Sequence, residues 1–134
     1  MTLVYFTDRD LGKQFPAILS QAGLAVERHA DLFPHDGSDE QWLEHCGRAG
    51  RVAISHNRRI RYVPNELAAV VRFKVSLIIV VGGAPTADLA RNFVGSVSRI
   101  ENFVATHEAP YIAKLYRPAP AETAGRIEIW YPTP

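Results

Sequence analysis

Asp8, Asp39, Glu40, Asn57 and Glu66 offer oxygen donors, while Arg9, His56, Arg58, Arg59 and Arg61 offer hydrogen-bond donors and positive charge. Carboxylates gathered in one cleft repel one another unless a cation neutralises them, and Mg²⁺ or Mn²⁺ accepts such oxygen ligands while keeping some of its waters. A cation held in this way lowers the pKa of a water and stabilises the charge that develops on a phosphodiester under in-line attack. Arginines beside it would clamp phosphates. Each residue also has a simpler reading. Asp8 terminates a strand, Asp39 caps a helix, and Glu40 and Glu66 lie in first turns where the helix dipole favours a negative charge. The arginines can form a solvated face.

The charge distribution keeps both readings open. The chain of 134 residues has a formal net charge of +1, but residues 1–45 hold three basic and eight acidic groups, whereas residues 46–75 hold seven basic and one acidic. An acidic block beside an arginine-rich one suits carboxylates on a hard cation with arginines on phosphates. Other chemistries lack their signatures. A single cysteine, Cys46, allows no intramolecular disulfide and no Cys-rich zinc site, and its place on the apolar side of a helix suits burial. His29, His35, His45 and His107 do not form an H-x-x-x-H pair, and Gly82-Gly83 is too little for a phosphate loop. The longest apolar run, Val75 to Val81, is too short to span a bilayer. The N-terminal residues lack the pattern of an export signal, so a cytoplasmic location is expected.

The elements that must position these groups alternate. Leu3–Thr7 predicts a buried strand ending at Asp8, and Leu11, Phe15, Ile18, Leu19 and Ala22 predict a helix closed by Gly23, with Pro16 either kinking it or marking its first turn. Leu24–His29 predicts a second strand, with an irregular stretch from Asp31 to Gly37. A helix capped by Ser38 or Asp39 carries Trp42, Leu43 and Cys46, and a third strand covers Val52–Ser55. Pro64 opens a helix, Val75–Val81 reads as a central strand covered on both faces, and Thr86 caps one long helix with a stripe from Leu89 to Val104. Two strands, Tyr111–Tyr116 and Arg126–Tyr131, flank a Pro- and Ala-rich connection. This order predicts one domain over residues 1–134 with a three-layer α/β/α sandwich and a mainly parallel sheet, its core at residues 3–116 and a two-stranded C-terminal extension over 117–134. Function belongs in the crevice beyond the carboxyl ends of the strands.

In order along the chain, Phe6-Thr7-Asp8-Arg9-Asp10-Leu11-Gly12, Asp39-Glu40-Gln41-Trp42-Leu43, Val52 to Ile60, Pro64-Asn65-Glu66 and Pro110 to Lys114 resemble segments of the PIN-like domains, in particular the small bacterial VapC-type toxin-like group. The resemblance implies a Mg²⁺- or Mn²⁺-dependent endoribonuclease, the toxin of a toxin–antitoxin pair. It admits an antitoxin protein and a second copy of the chain as partners beside RNA. On this resemblance Asp8 is the first acid, Asp39 with Glu40 the second, and Asn57 stands where an aspartate is usual. Glu66 compensates if its helix turns it inward. Asp8, Asp39, Asn57 and Glu66 would then surround the metal, and Arg9, His56, Arg58, Arg59 and Arg61 would meet phosphates. The amide at Asn57 leaves a second expectation, a domain that binds RNA or a protein without cutting. A third is a structural or regulatory role with self-association through Ile127, Ile129 and Tyr131.

Overall fold

The computed structural model describes residues 2–133. The β-branched and aromatic strand β1 (Val4–Thr7) runs into a 3₁₀ turn at Arg9–Leu11 and then α1 (Gln14–Gln21). The helix expected from Leu11 onward is thus divided, because Gly12 takes a left-handed φ of +68° and closes the turn. Pro16 falls in the first turn of α1, where its missing N–H breaks no helical hydrogen bond. Strand β2 (Ala25–Arg28) stops short of His29. A single helical turn, α2 (His29–Leu32), occupies part of the stretch expected to be irregular.

The helix α3 (Asp39–Ala49) starts after Ser38 and ends at Gly50, whose φ of +71° is the left-handed stop that glycine supplies without strain. Next come β3 (Val52–Ser55), a 3₁₀ turn at Arg58–Arg61, α4 (Pro64–Arg72) with Pro64 in its first turn, and β4 (Ser76–Val80). The long helix expected after Thr86 is two, α5 (Thr86–Gly95) and α6 (Val97–Thr106). The break falls where the chain before β6 packs against it: the Ser96 hydroxyl donates to Asn92 O at 2.7 Å and accepts from Gly125 N at 2.8 Å, and a Cβ on Gly95 would stand 2.6 Å from Thr123 O. Strands β5 (Tyr111–Leu115) and β6 (Ile127–Tyr131) finish the chain.

The six strands form one sheet in the order β2-β1-β3-β4-β5-β6, parallel except for the β5–β6 pair. After β1 the chain moves outward to β2, and from β3 onward it builds in the other direction. Right-handed crossovers therefore place helices on opposite faces. Side-chain alternation serves both layers. Tyr5, Val52, Ile54, Ile78, Val80 and Leu115 pack against α1, α5 and α6, whereas Phe6, Ala53, Leu77, Ile79 and Ile112 pack against α3 and α4. This three-layer α/β sheet fits a PIN-like fold. Between β1 and β3 the winding reverses, so loops leaving these strands diverge to opposite faces and open a crevice at their carboxyl ends. Among the described residues no helix is long and apolar enough to cross a membrane.

Close contact between the ends of α3 and α4 joins the two helices of one layer near the amino ends of β3 and β4, opposite that crevice. A Cβ on Gly47 would collide with the Phe73 carbonyl oxygen, and backbone cannot swing aside as a side chain can. The substitution Gly47→Ala is expected to lower unfolding free energy by about 1–3 kcal/mol, seen as a lower urea midpoint with unchanged slope. An unchanged midpoint would mean that this contact does not constrain the helices.

Candidate active site at the carboxyl ends of β1 and β3

Asp8 follows the last residue of β1, and its N–H still joins the ladder by donating to Ile54 O at 2.9 Å. That bond keeps the backbone extended and turns the side chain into the crevice, where the residue is only 6% exposed. One carboxylate oxygen, Oδ2, accepts from the Ser55 hydroxyl at 2.8 Å, and Oδ1 accepts from Arg9 N at 2.7 Å as the cap of the 3₁₀ turn. The turn then carries Asp10 back toward β3. Its Oδ2 accepts from His56 N at 3.1 Å and lies 3.4 Å from the same Ser55 hydroxyl. A serine has one hydroxyl proton, and the shorter contact assigns it to Asp8.

Two carboxyls against one hydroxyl give up their protons less readily than free acids do. Burial, opposed by the Ser55 hydrogen bond and reinforced by Asp39, raises the Asp8 pKa. Burial of its carboxyl, together with the Asp8 charge, pushes Asp10 up to about 7, although the outer part of that residue is exposed. A second acidic pair faces the first. Asp39, the first residue of α3, accepts from Trp42 Nε1 at 2.9 Å, and the first turn of α4 brings Glu66 close enough to Asp39 to share a proton with it. Glu66 Oε1 is buried without a hydrogen-bond partner, and burial with the Asp39 and Glu40 charges pushes this acid up to about 7.

Asp8, Asp10 and Glu66, three carboxyls of raised proton affinity, stand with Asp39 as an all-oxygen donor set, one Glu66 oxygen buried and unpaired, that a hard divalent cation would neutralise. They come as two pairs. Among the described residues no three His, Cys, Asp or Glu side chains close into a ready-made cation cage. The donor set fits the habit of Mg²⁺, which binds through one or two carboxylates and leaves its other positions to water and phosphate.

A family model described as a PIN like domain matches residues 3–82, more than half of the chain, and this segment runs from β1 through β4. The chain belongs to the PIN-like domain family. No curated protein and no solved structure matches it. PIN-like domains have a nuclease-type fold, generally use divalent metals and commonly bind RNA.

The PIN-like domain brings Asp8, Asp39 and Glu66 to one crevice; Glu40 lies on its exposed rim. Asn57 adjoins the crevice through its N–H, which donates to the Ser55 hydroxyl at 3.0 Å, while its Oδ1 accepts from Arg59 N at 3.0 Å and caps the 3₁₀ turn. The His56 ring is also engaged, with Nε2 2.9 Å from Gly82 O. Arg58 and Arg59 are exposed, and Arg59 lies near enough to Glu66 to favour its ionised form. Arg61 is turned away. Its guanidinium lies 4.8 Å from the Tyr131 ring centre, with Nη2 3.4 Å from Thr133 Oγ1. Arg9 is exposed beside Asp8, on a cavity of about 180 Å³ that also reaches Lys13, Arg28 and His29. The larger groove of the molecule, about 900 Å³, lies along Gly82, Asn92 and Arg117 and contains none of the four acids.

Sequence reasoning passed over Asp10 and Ser55, although the D-x-D spacing across a strand end was a usable signal: a tight turn returns the second acid to the same side. It also passed over His29, a buried ring between Phe6 and Phe33 whose charged form is disfavoured by burial.

The raised acids fix the sign of a pH effect. Between about pH 4 and 7 the folded chain retains protons on Asp10 and Glu66 that the unfolded chain has released, so without a cation these groups lower stability as pH rises through that window. Asp10→Asn and Glu66→Gln are each expected to melt above the parent at about pH 8 in EDTA and level with it at about pH 4. Thermal unfolding followed by circular dichroism checks this, and the same offset at both pH values would show that the acids titrate normally.

Proposed function

We propose that this PIN-like domain is a metal-dependent endoribonuclease with Asp8, Asp10, Asp39 and Glu66 as its acidic centre. The observation that carries the reading is the meeting of two strained carboxyl pairs in the crevice between β1 and β3, close to exposed arginines. Charge repulsion among these closely set acids, one of them buried, destabilises the free domain, and a positive ion entering between them would relieve it.

Asp8 and Asp39 would hold Mg²⁺ or Mn²⁺ directly or through water, with Asp10 and Glu66 completing the set. When bound, the ion supplies Lewis-acid stabilisation of the phosphodiester and a water of lowered pKa. The chain's own groups do the rest. Ser55 fixes the Asp8 carboxylate by donating its proton, and the Trp42 indole N–H fixes Asp39. Arg9, Arg58 and Arg59 are placed to receive phosphates that flank the scissile bond and to set the strand's direction. Asp10 or Glu66, whichever carboxylate is left free of the ion, would accept the proton that water gives up.

Asn57 does not weaken this reading as much as the missing acid suggests. With its oxygen committed to the Arg59 N–H, the carboxylate beside the β3 exit is Asp10, held by His56 N. Asn57 nevertheless favours a second reading, a domain that holds RNA without cutting it, and the two separate experimentally. Purified protein with Mn²⁺ is expected to cleave single-stranded RNA, to stop in EDTA, and to lose roughly 100-fold or more of its rate in Asp8→Asn, since loss of an outer-sphere partner alone costs about 10- to 100-fold. Cleavage that persists equally in EDTA and in Asp8→Asn would defeat the nuclease reading, and activity that arises only in Asn57→Asp would favour the RNA-holding one.

A further inference from the structure

The turn that leaves β3 presents an aromatic surface that the acidic centre does not use. Tyr62, the residue after the 3₁₀ turn Arg58–Arg61, is 70% exposed. Its ring is nevertheless held in place. The Trp130 ring stands against it edge-on, centres 5.7 Å apart at 80°, and the Arg61 guanidinium lies 5.5 Å from its centre. Trp130 is in turn braced from its other neighbour, Lys114, whose Nζ sits 4.0 Å from the ring centre, and Tyr131 receives Arg61. Lys114, Trp130 and Tyr131 come from β5 and β6, outside the segment that the family model matches, whereas Arg61 lies within it. Between the Trp130 and Arg61 contacts most of the Tyr62 ring surface stays exposed, as stacking requires.

Its neighbourhood is cationic. Arg58 and Arg59 are exposed and form no salt bridge among the described residues, and they occupy the turn that separates Tyr62 from Asn57 at the β3 exit. At about 2 Å of rise per residue, that turn spans roughly 10 Å. A strand with its phosphate in the crevice would therefore lay its next phosphates on Arg58 and Arg59 and bring a base over Tyr62. An exposed aromatic ring beside exposed arginines that form no salt bridge among the described residues complements a polyanion with flat bases. We propose that Tyr62 is a base-stacking platform for single-stranded RNA, propped by the C-terminal strand and fed by Arg58 and Arg59. This rests on the reading of the domain as one that binds RNA, though not on its cutting it.

The test is equilibrium binding of a fluorescein-labelled, unstructured RNA of about twelve nucleotides, followed by anisotropy in EDTA so that metal-dependent cleavage plays no part. Tyr62→Ala is expected to weaken binding by roughly tenfold or more, Tyr62→Phe to stay within about threefold of the parent, and both to keep the parent's far-ultraviolet circular dichroism. Arg58→Ala and Arg59→Ala should each flatten the dependence of log K on log salt by about 0.7, whereas Tyr62→Ala should leave that slope unchanged. Equal affinity of Tyr62→Ala and the parent, or equal loss in Tyr62→Ala and Tyr62→Phe, would overturn the platform even if the protein cleaves RNA. A parent that binds no RNA would overturn it as well, and would point to a protein partner on this face. Binding that depends on Tyr62 in a protein inert with Mn²⁺ would retain the platform and remove only the nuclease.

Discussion

The Ser55 hydroxyl joins the two strands around which the site is organised. It donates to Asp8 from the end of β3, lies within reach of Asp10, and accepts from Asn57 N at 3.0 Å. One oxygen thus coordinates the loop after β1 with the loop after β3, at the point where the sheet changes its direction of winding. Its single proton is the constraint. It can satisfy only one of two neighbouring carboxylates, so the acid pair is left with more negative charge than local hydrogen bonds neutralise.

From that shortage the character of the crevice follows. Asp8 cannot relax into solvent because the β1 ladder and the 3₁₀ turn hold it from both sides, and Glu66 cannot because α4 is fixed by its packing on α3. A protein that wanted only stability would place amides or apolar groups at such positions. Retaining acids there makes sense if the fold spends stability on readiness for a cation, the general trade between rigidity of a scaffold and strain at its site.

Much of the scaffold was legible in sequence because its signals are local. The β-branched run Val52–Ser55, the proline that opens α4 and the continuous apolar stretch in β4 each reflect a backbone preference or a burial pattern that needs no distant partner. What was missed depends on contacts between segments far apart. The division of the helix at Ser96 follows from Gly125 and Thr123 packing on it, which periodicity within residues 86–106 cannot register. Asp10 enters the site only because β3 stands beside the turn that follows β1. Asn57 was read by its chemical likeness to an aspartate, whereas its amide is engaged in capping the next turn. Arg61 was grouped with its charged neighbours, but a 3₁₀ turn sends successive side chains to different sides and this one meets β6.

The anchoring of Gly125 against the helix break has a further consequence for how the C-terminal strand is placed. Gly125 N is tied to Ser96, Tyr116 N to Arg126 O, and the space beside Gly125 is filled by the Tyr116 carbonyl. The connection between β5 and β6 is thereby clipped at its downstream end, while residues 117–122 arch free of it. Length changes in that arch leave β6 in phase. An added or deleted residue between the clip and Trp130 would rotate every later side chain to the opposite face, exchanging the indole that meets Tyr62 for Ile129 or Tyr131. Evolution of this extension is therefore free in its loop and tightly counted over the few residues that follow.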